Sequence, residues 1–411
     1  MKNTSSGVHT FAFFQRMREE EYFDLRSHFN EFKVKTNELN DRPLKDKNGR
    51  ITGWEYTYKK RKGIRWLLLT TNADSKFTIY GIMVIITPKV LIENNYIAVM
   101  QFADLNVVED MFNREAERIS PLIRKFGSCS MNRSDPGLTL DLKELGIPCS
   151  PEQMIKLIKR GDIPKHFKER KVYDDNDKSH RKKADKHSFY LESNSVVINY
   201  YWKYPKQTIK HPNYANRENS RNVIRLEVQC KYPKLYSIAK TSKDNSKYVK
   251  YADGMPDEVI WNMINYGIKN PSIPLDVILS DDISDDVIRS YYNKIIRQGD
   301  YFTLEGARWM VKAHYFRQEK EERLLFALEY INECRGIANA KAKLFGDDLH
   351  DFKRSLRDLD DIFVNPVTIP REWGINHIQN PLKAYYLSTI EVPILFCNEV
   401  LFERLLAEYL A

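Results

Sequence analysis

Residues 222–230 read Asn222-Val-Ile-Arg-Leu-Glu-Val-Gln-Cys230. Ile224, Leu226, Val228 and Cys230 alternate with Arg225, Glu227 and Gln229, the period-two pattern of a strand with one apolar and one polar face. No other stretch is patterned as cleanly, and it makes the first part of the chain a sheet rather than a bundle. Val196–Trp202 repeats the alternation: Val196, Ile198, Tyr200 and Trp202 share one face, and Val197, Asn199 and Tyr201 the other. Outward from this pair, strands are expected at Val8–Phe14, Gly53–Lys59, Ile64–Thr70, Phe77–Thr87 and around Ser128–Asp141, with a turn at Asn72–Ser75. Helices are expected over Arg16–Phe32 and Asn106–Lys125, and from Ser150 as cap and Pro151 at the first helical position to Arg160. The basic stretch 165–187, with nine Lys/Arg and three His, reads as a mobile loop or ribbon.

Beyond about residue 255 the texture turns helical, with candidates at Asp285–Gln298, Thr303–Phe316, Glu319–Cys334, Ala338–Phe345, Leu349–Asp361 and Glu399–Leu410. Residues 364–382 hold Pro366, Pro370 and Pro381 and read as an extended strap. The charge changes sign at the same place. Residues 256–411 carry 18 Lys/Arg against 25 Asp/Glu, leaving 47 against 31 in residues 1–255. The expected organisation is therefore a basic α+β DNA-binding domain over 1–255, built on an antiparallel sheet with helices on one face, and an acidic, all-helical domain over 256–411. A cationic globular unit of this kind meets nucleic acid most readily, because neutralising phosphates releases counterions.

Several function classes are excluded. No apolar run approaches the length of a bilayer span, so no membrane association is expected. The start lacks the order of an export signal, and the five cysteines form no CxxC pair, which together point to a reducing cytoplasm and away from a zinc ribbon. There is no phosphate-binding loop ending in Lys-Ser or Lys-Thr, no dinucleotide fingerprint and no His-hydrophobe-His pair. A metal site would have to be built from carboxylates, favouring hard ions.

Three segments taken in order carry a resemblance: Arg133-Ser-Asp135, Tyr200-Tyr-Trp-Lys203 and Arg225-Leu-Glu227, with the helix at 150–160 between the first two. The chain resembles rolling-circle replication initiators, tyrosine nickases of plasmids and phages. Gly299–Ala307 and Val364–Pro370 resemble such proteins too. The resemblance implies a metal-dependent transesterification that leaves a 5′-phosphotyrosine and a free 3′-hydroxyl. It implies Tyr201 as nucleophile, Lys203 and Arg225 as assisting cations, and Mg²⁺ or Mn²⁺ held by Glu227 and Asp135. Pro136-Gly137 departs from the usual apolar continuation, which makes Asp141 the alternative ligand, and Tyr200 and Tyr204 stand close enough to Tyr201 to be alternatives as nucleophile. Implied partners are single-stranded or hairpin origin DNA, a host helicase and polymerase, and a second copy in a homodimer. The alternative is a non-catalytic DNA-binding replication regulator of the same fold.

Overall fold

The alternating segment at 222–230 becomes a central strand of one large sheet. In the computed structural model, residues 3–73, 77–170, 186–241, 273, 275–389 and 397–410 are described. The strands are β1 (Ser5–Met17), β2 (Leu39–Lys45), β3 (Ile51–Tyr58), β4 (Ile64–Ala73), β5 (Phe77–Ile86), β6 (Met131–Asp141), β7 (Lys168–Glu169), β8 (Ser188–Glu192), β9 (Val196–Trp202) and β10 (Val223–Lys231). They pair in the order β2-β3-β4-β5-β1-β6-β10-β9-β8-β7, and every pairing is antiparallel. β1 thus joins a meander on one side to the β6-β10-β9 group on the other.

The apolar faces are where the alternation puts them. Ile224, Leu226, Val228, Cys230, Val196, Ile198 and Tyr200 are all buried. Covering this region are α4 (Pro151–Lys159), α6 (Tyr232–Thr241) and α8 (Asp281–Ile295). Ser150 caps α4 as expected, its Oγ accepting from Gln153 N at 3.2 Å while Gln153 Oε1 accepts from Ser150 N at 2.8 Å. On the other half of the sheet, Trp66 and Phe13 pack on Phe112 with ring centroids 5.6 and 5.2 Å apart, below α1 (Glu19–Thr36) and α3 (Leu105–Ile119). Each such fully buried ring contributes about 1.5–3 kcal/mol relative to exposure.

Some elements escape sequence patterning. β2 contains Pro43 and three charged residues and buries Leu39 alone, the composition of a protected edge strand. Helices not expected from the sequence include α2 (Pro88–Glu93), α5 (Lys203–Lys210), which begins directly where β9 ends, and α6 (Tyr232–Thr241), which follows β10 in the same way. The expected turn at Asn72–Ser75 differs in that Asn72 and Ala73 still pair within β4, residues 74–76 lying outside the described part. Most of the basic ribbon, 171–185, also lies outside it, as does the boundary at 255.

The acidic half is helical, with α7 (Leu275–Ile278), α9 (Leu304–Ala313), α10 (Gln318–Glu333), α11 (Ile337–Lys341), α12 (Gly346–Asp361), α13 (Pro381–Thr389) and α14 (Cys397–Leu410) joining α8. It also carries a two-residue antiparallel ladder of β11 (Tyr301–Phe302) and β12 (His377–Ile378). Its first long helix completes the sheet's core: Ile288, Tyr291, Tyr292 and Ile295 of α8 are buried, and the helix packs on β1, β6 and β10. A second apolar cluster around Phe302, Met310, Leu328 and Phe402 holds α9, α10, the end of α12 and α14, while α7, α11 and α13 pack into the core of the sheet. The strap at 364–382 is pinned by Asp300, whose Oδ1 accepts from Asn380 N at 2.8 Å and whose Oδ2 lies 2.9 Å from His377 Nε2. No helix among the described residues is long and apolar enough to cross a membrane.

Candidate active site

Antiparallel register brings the candidate residues together. Tyr201 of β9 lies opposite Arg225 of β10, and Asn199 opposite Glu227, so the tyrosine reaches diagonally to the carboxylate. Its hydroxyl donates to Glu227 Oε1 at 2.5 Å. On the other side of β10, β6 puts Thr139 opposite Arg225 and Gly137 opposite Glu227.

A third strand adds a residue that sequence reading missed. The β1–β6 register shifts between Val8 and Thr10, a bulge that aims His9 at the site. A Cβ at Gly137 would stand 3.3 Å from His9 Cβ, so the bare backbone there makes room for the ring. Arg225 Nη1 lies 2.8 Å from His9 Nδ1. Because arginine can only donate, Nδ1 is the acceptor and Nε2 carries the proton, which it directs at Glu227 Oε1, 3.2 Å away. Arg225 Nη2 donates to the backbone carbonyls of Ile97 and Ala98, and the buried Arg225 Nε has no partner among the described residues. Asn95 shapes that loop by accepting from Ile97 N and Ala98 N at 2.9 and 3.1 Å.

The cations come from α5. Lys203 Nζ is 3.4 Å from the Tyr201 hydroxyl, and Lys206 Nζ sits 4.2 Å from the Tyr201 ring centroid. Together with Tyr201, His9, Arg61, Arg65 and Lys210, these lysines line a cavity of about 490 Å³.

Burial and these charges set the protonation states. Burial alone would raise the Glu227 pKa, but His9, Arg225 and Lys203 outweigh it and hold the carboxylate at about 2. Tyr201 is pushed well above 10 by burial, then by Glu227. Burial, followed by Arg225, drives Lys203 well below its usual value. His9 is likewise depressed by burial, against the pull of Glu227.

Several sequence expectations need correction. The polar sheet face is covered: Tyr201 is 6% exposed and Arg225 is fully buried. Arg225 therefore braces His9, Glu227 and the 97–98 carbonyls from beneath instead of facing a bound phosphate. Asp135 is on the same strand face, two residues from the position opposite Glu227, but Arg133 grips it, with Arg133 Nε 2.8 Å from Oδ1. Its burial, opposed by Arg133, raises its pKa to about 6. Asp141 lies at the far end of β6, about 13 Å from Gly137 at strand spacing. There its Oδ1 accepts from Lys143 N and Glu144 N at 3.0 and 3.3 Å, closing a turn. Tyr200 points to the opposite, apolar face, and Tyr204 donates outward to Glu218 at 3.2 Å.

Neither Asp135 nor its alternative Asp141 therefore joins Glu227 as a free carboxylate, and no group of three or more His, Cys, Asp or Glu suited to a metal ion occurs among the described residues. The donor set does not fit a hard divalent ion as arranged. Glu227 is already paired with Arg225 and accepts from Tyr201 and His9 Nε2, and Asp135 is paired with Arg133.

No family model matches the sequence, and no curated protein matches it. Among solved structures, the chain is similar to a rolling circle replication initiator protein from Geobacillus stearothermophilus, at 11% identity and a TM-score of 0.29, over 69% of this chain and 96% of that one. A likeness of that degree carries no argument about activity, which rests on the residues themselves.

Proposed function

We propose that this chain is a DNA strand-transferase that initiates rolling-circle replication, with Tyr201 as its nucleophile. The observation that carries the reading is the Tyr201 hydroxyl, held on Glu227 and beside Lys203 at the wall of a cationic cavity. Tyr201 Oη attacks a phosphodiester phosphorus, forming the 5′-phosphotyrosine bond as the bond to the 3′-oxygen breaks. The phenolic proton passes along the existing hydrogen bond to Glu227 as attack proceeds; the carboxylate returns it to solvent, and the departing 3′-oxygen takes one proton from solvent to become a hydroxyl. Transfer must be concerted with attack, because a carboxylate with a pKa of about 2 does not hold a phenolic proton in the resting site. Lys203 and Lys206 offer positive charge to the non-bridging oxygens. Because the product is an ester of similar energy, a later 3′-hydroxyl reverses the step without ATP. No step is routed through a metal. The DNA would be single-stranded or hairpin-extruded at an origin, acted on in the cytoplasm together with a host helicase and polymerase and, in a dimer, a second copy.

A second reading, a DNA-binding regulator without chemistry, is favoured by one observation. The same burial that positions Tyr201 opposes its ionisation. A denaturing gel after incubation with a pool of single-stranded and hairpin oligonucleotides separates the two. Strand transfer requires a covalent adduct in the wild type that Tyr201→Phe loses while keeping non-covalent affinity within severalfold. An adduct that persists in Tyr201→Phe, or none in the wild type, overturns the assignment.

A further inference from the structure

The cavity beside Tyr201 is one-sided in charge. Arg61, Lys62, Arg65, Lys203, Lys206 and Lys210 line it, and no carboxylate among the described residues does. Arg61 and Arg65 are paired with Glu115 and Glu55, which leaves the four lysines to set the field. They fall into two places. Lys203 and Lys206 stand at Tyr201, Lys203 Nζ 3.4 Å from its hydroxyl and Lys206 Nζ 4.2 Å from its ring centroid. Lys210 is the exposed last residue of α5, one helical turn or about 6 Å beyond Lys206, and exposed Lys62 comes from the β3–β4 turn. The lysines work against one another in the resting site. Burial, then Arg225, depresses the Lys203 pKa, and Lys206 and Lys210 add to the effect against Glu227. His211, which follows Lys210 and lines the same space, is depressed by burial and then by Lys203, Lys210 and Lys62. A polyanion among these groups relieves the repulsion and restores the proton to Lys203. The His211 and Tyr96 rings form an aromatic part of the wall, with centroids 3.9 Å apart and planes inclined by 32°. Gln207, between Lys203 and His211 along α5, is closed off at 2% exposed. The volume, about 490 Å³, lies within the ~300–1,000 Å³ of small-molecule sites, enough for one nucleotide and too little for a base pair with both its backbones.

We propose that this cavity is a subsite for one nucleotide with a phosphate at each end, a nucleoside 3′,5′-bisphosphate unit of a single strand. Lys203 and Lys206 hold the phosphate beside Tyr201, and Lys62 and Lys210 hold its neighbour. The two places for charge follow from α5 itself, because one turn of helix is close to the span of one extended nucleotide. Tyr96 and His211 give the base an aromatic wall, and every base has a π-face to set against it, so the subsite has no base preference. That the inner phosphate is the one attacked rests on the strand-transfer reading; the preference of the cavity for two phosphates does not.

The test is calorimetry on the wild-type full chain with the 3′,5′-bisphosphates of thymidine and deoxyadenosine, the 3′- and 5′-monophosphates of thymidine, and inorganic pyrophosphate. Pyrophosphate brings two joined phosphates without the nucleotide's span. Both bisphosphates are expected to bind about tenfold or more tighter than either monophosphate and than pyrophosphate, and within about threefold of each other. Lys62→Ala and Lys210→Ala together should reduce the bisphosphates to monophosphate affinity. Both side chains are exposed, so the Tm of that variant should be no lower than that of the wild type. Bisphosphates no tighter than monophosphates, pyrophosphate as tight as the bisphosphates, or a bisphosphate preference that survives the double substitution overturns the proposal. A difference of about tenfold or more between the two bisphosphates overturns the absence of base preference. A bisphosphate preference together with no covalent adduct in the wild type refutes strand transfer and leaves the subsite standing, and an adduct without the preference does the reverse.

Discussion

Replacing Glu227 with glutamine removes the one negative charge among Arg225, His9 and Lys203 while keeping an oxygen for the Tyr201 hydroxyl. The folded state holds this carboxylate at about 2 against an ordinary value of 4.5. At about 1.4 kcal/mol per unit, that difference is worth about 3 kcal/mol of stability at neutral pH. The sign follows from linkage. A depressed acid pKa stabilises the fold above the unfolded value, and the contribution disappears as pH falls from 4.5 towards 2. Urea unfolding of wild type and Glu227→Gln should therefore differ by about 3 kcal/mol at pH 7 and pH 5, and by roughly half as much at pH 3. Asp135, raised to about 6, and His9, depressed, give further slopes of opposite sign; because Glu227 raises both, its removal lowers both, and the gap reports the cluster as a coupled unit. The size agrees with the ~3–5 kcal/mol cost of breaking a buried ion pair and leaving one charge alone, here Arg225, 3.7 Å from the carboxylate. A gap below about 1 kcal/mol at pH 7, or one unchanged at pH 3, would refute the claim that this cluster is a closed, charge-compensated unit.

Two further outcomes test how the cavity binds. Lys210, exposed at its rim, should act as a sequence-independent phosphate contact. Lys210→Ala is expected to weaken single-stranded DNA uniformly and to flatten the slope of log affinity against log salt by about 0.7, and an unchanged slope would remove Lys210 from the interface. Because the anion-binding groups are side-chain cations, excess EDTA should leave single-strand affinity within about twofold by fluorescence anisotropy. A tenfold loss would mean that a metal completes the binding site after all.

The pairing of Tyr201 with Glu227 was legible because strand alternation is a local property. Once Val196–Trp202 and Val223–Lys231 are neighbours, parity alone sends Tyr201 and Glu227 to one side and Tyr200 to the other. Parity says nothing about position along the strand, which is why Asp141 looked equivalent to Asp135 while sitting at the turn. Nor does it say what lies above a face: the alternation makes Arg225 and Glu227 polar-face residues, and the 97–98 loop and α5 close over them. Gln207 and His211 carried a readable signal, the i, i+4, i+8 spacing from Lys203 that lines one helix face. It went unused because the helix itself was not recognised after β9.

Composition and periodicity by themselves determined the sheet, the helical second half, the reversal of charge between them and the residue types able to act on a phosphodiester. Each of these depends on neighbours a few positions apart. Tertiary structure alone decided that His9, 216 residues from Arg225 along the chain, completes the cluster, that Gly137 makes space for it, and that Asp135 belongs to Arg133. Those outcomes depend on strand order and on a single bulge, and the free energy that selects them comes from contacts between segments whose spacing no local pattern encodes.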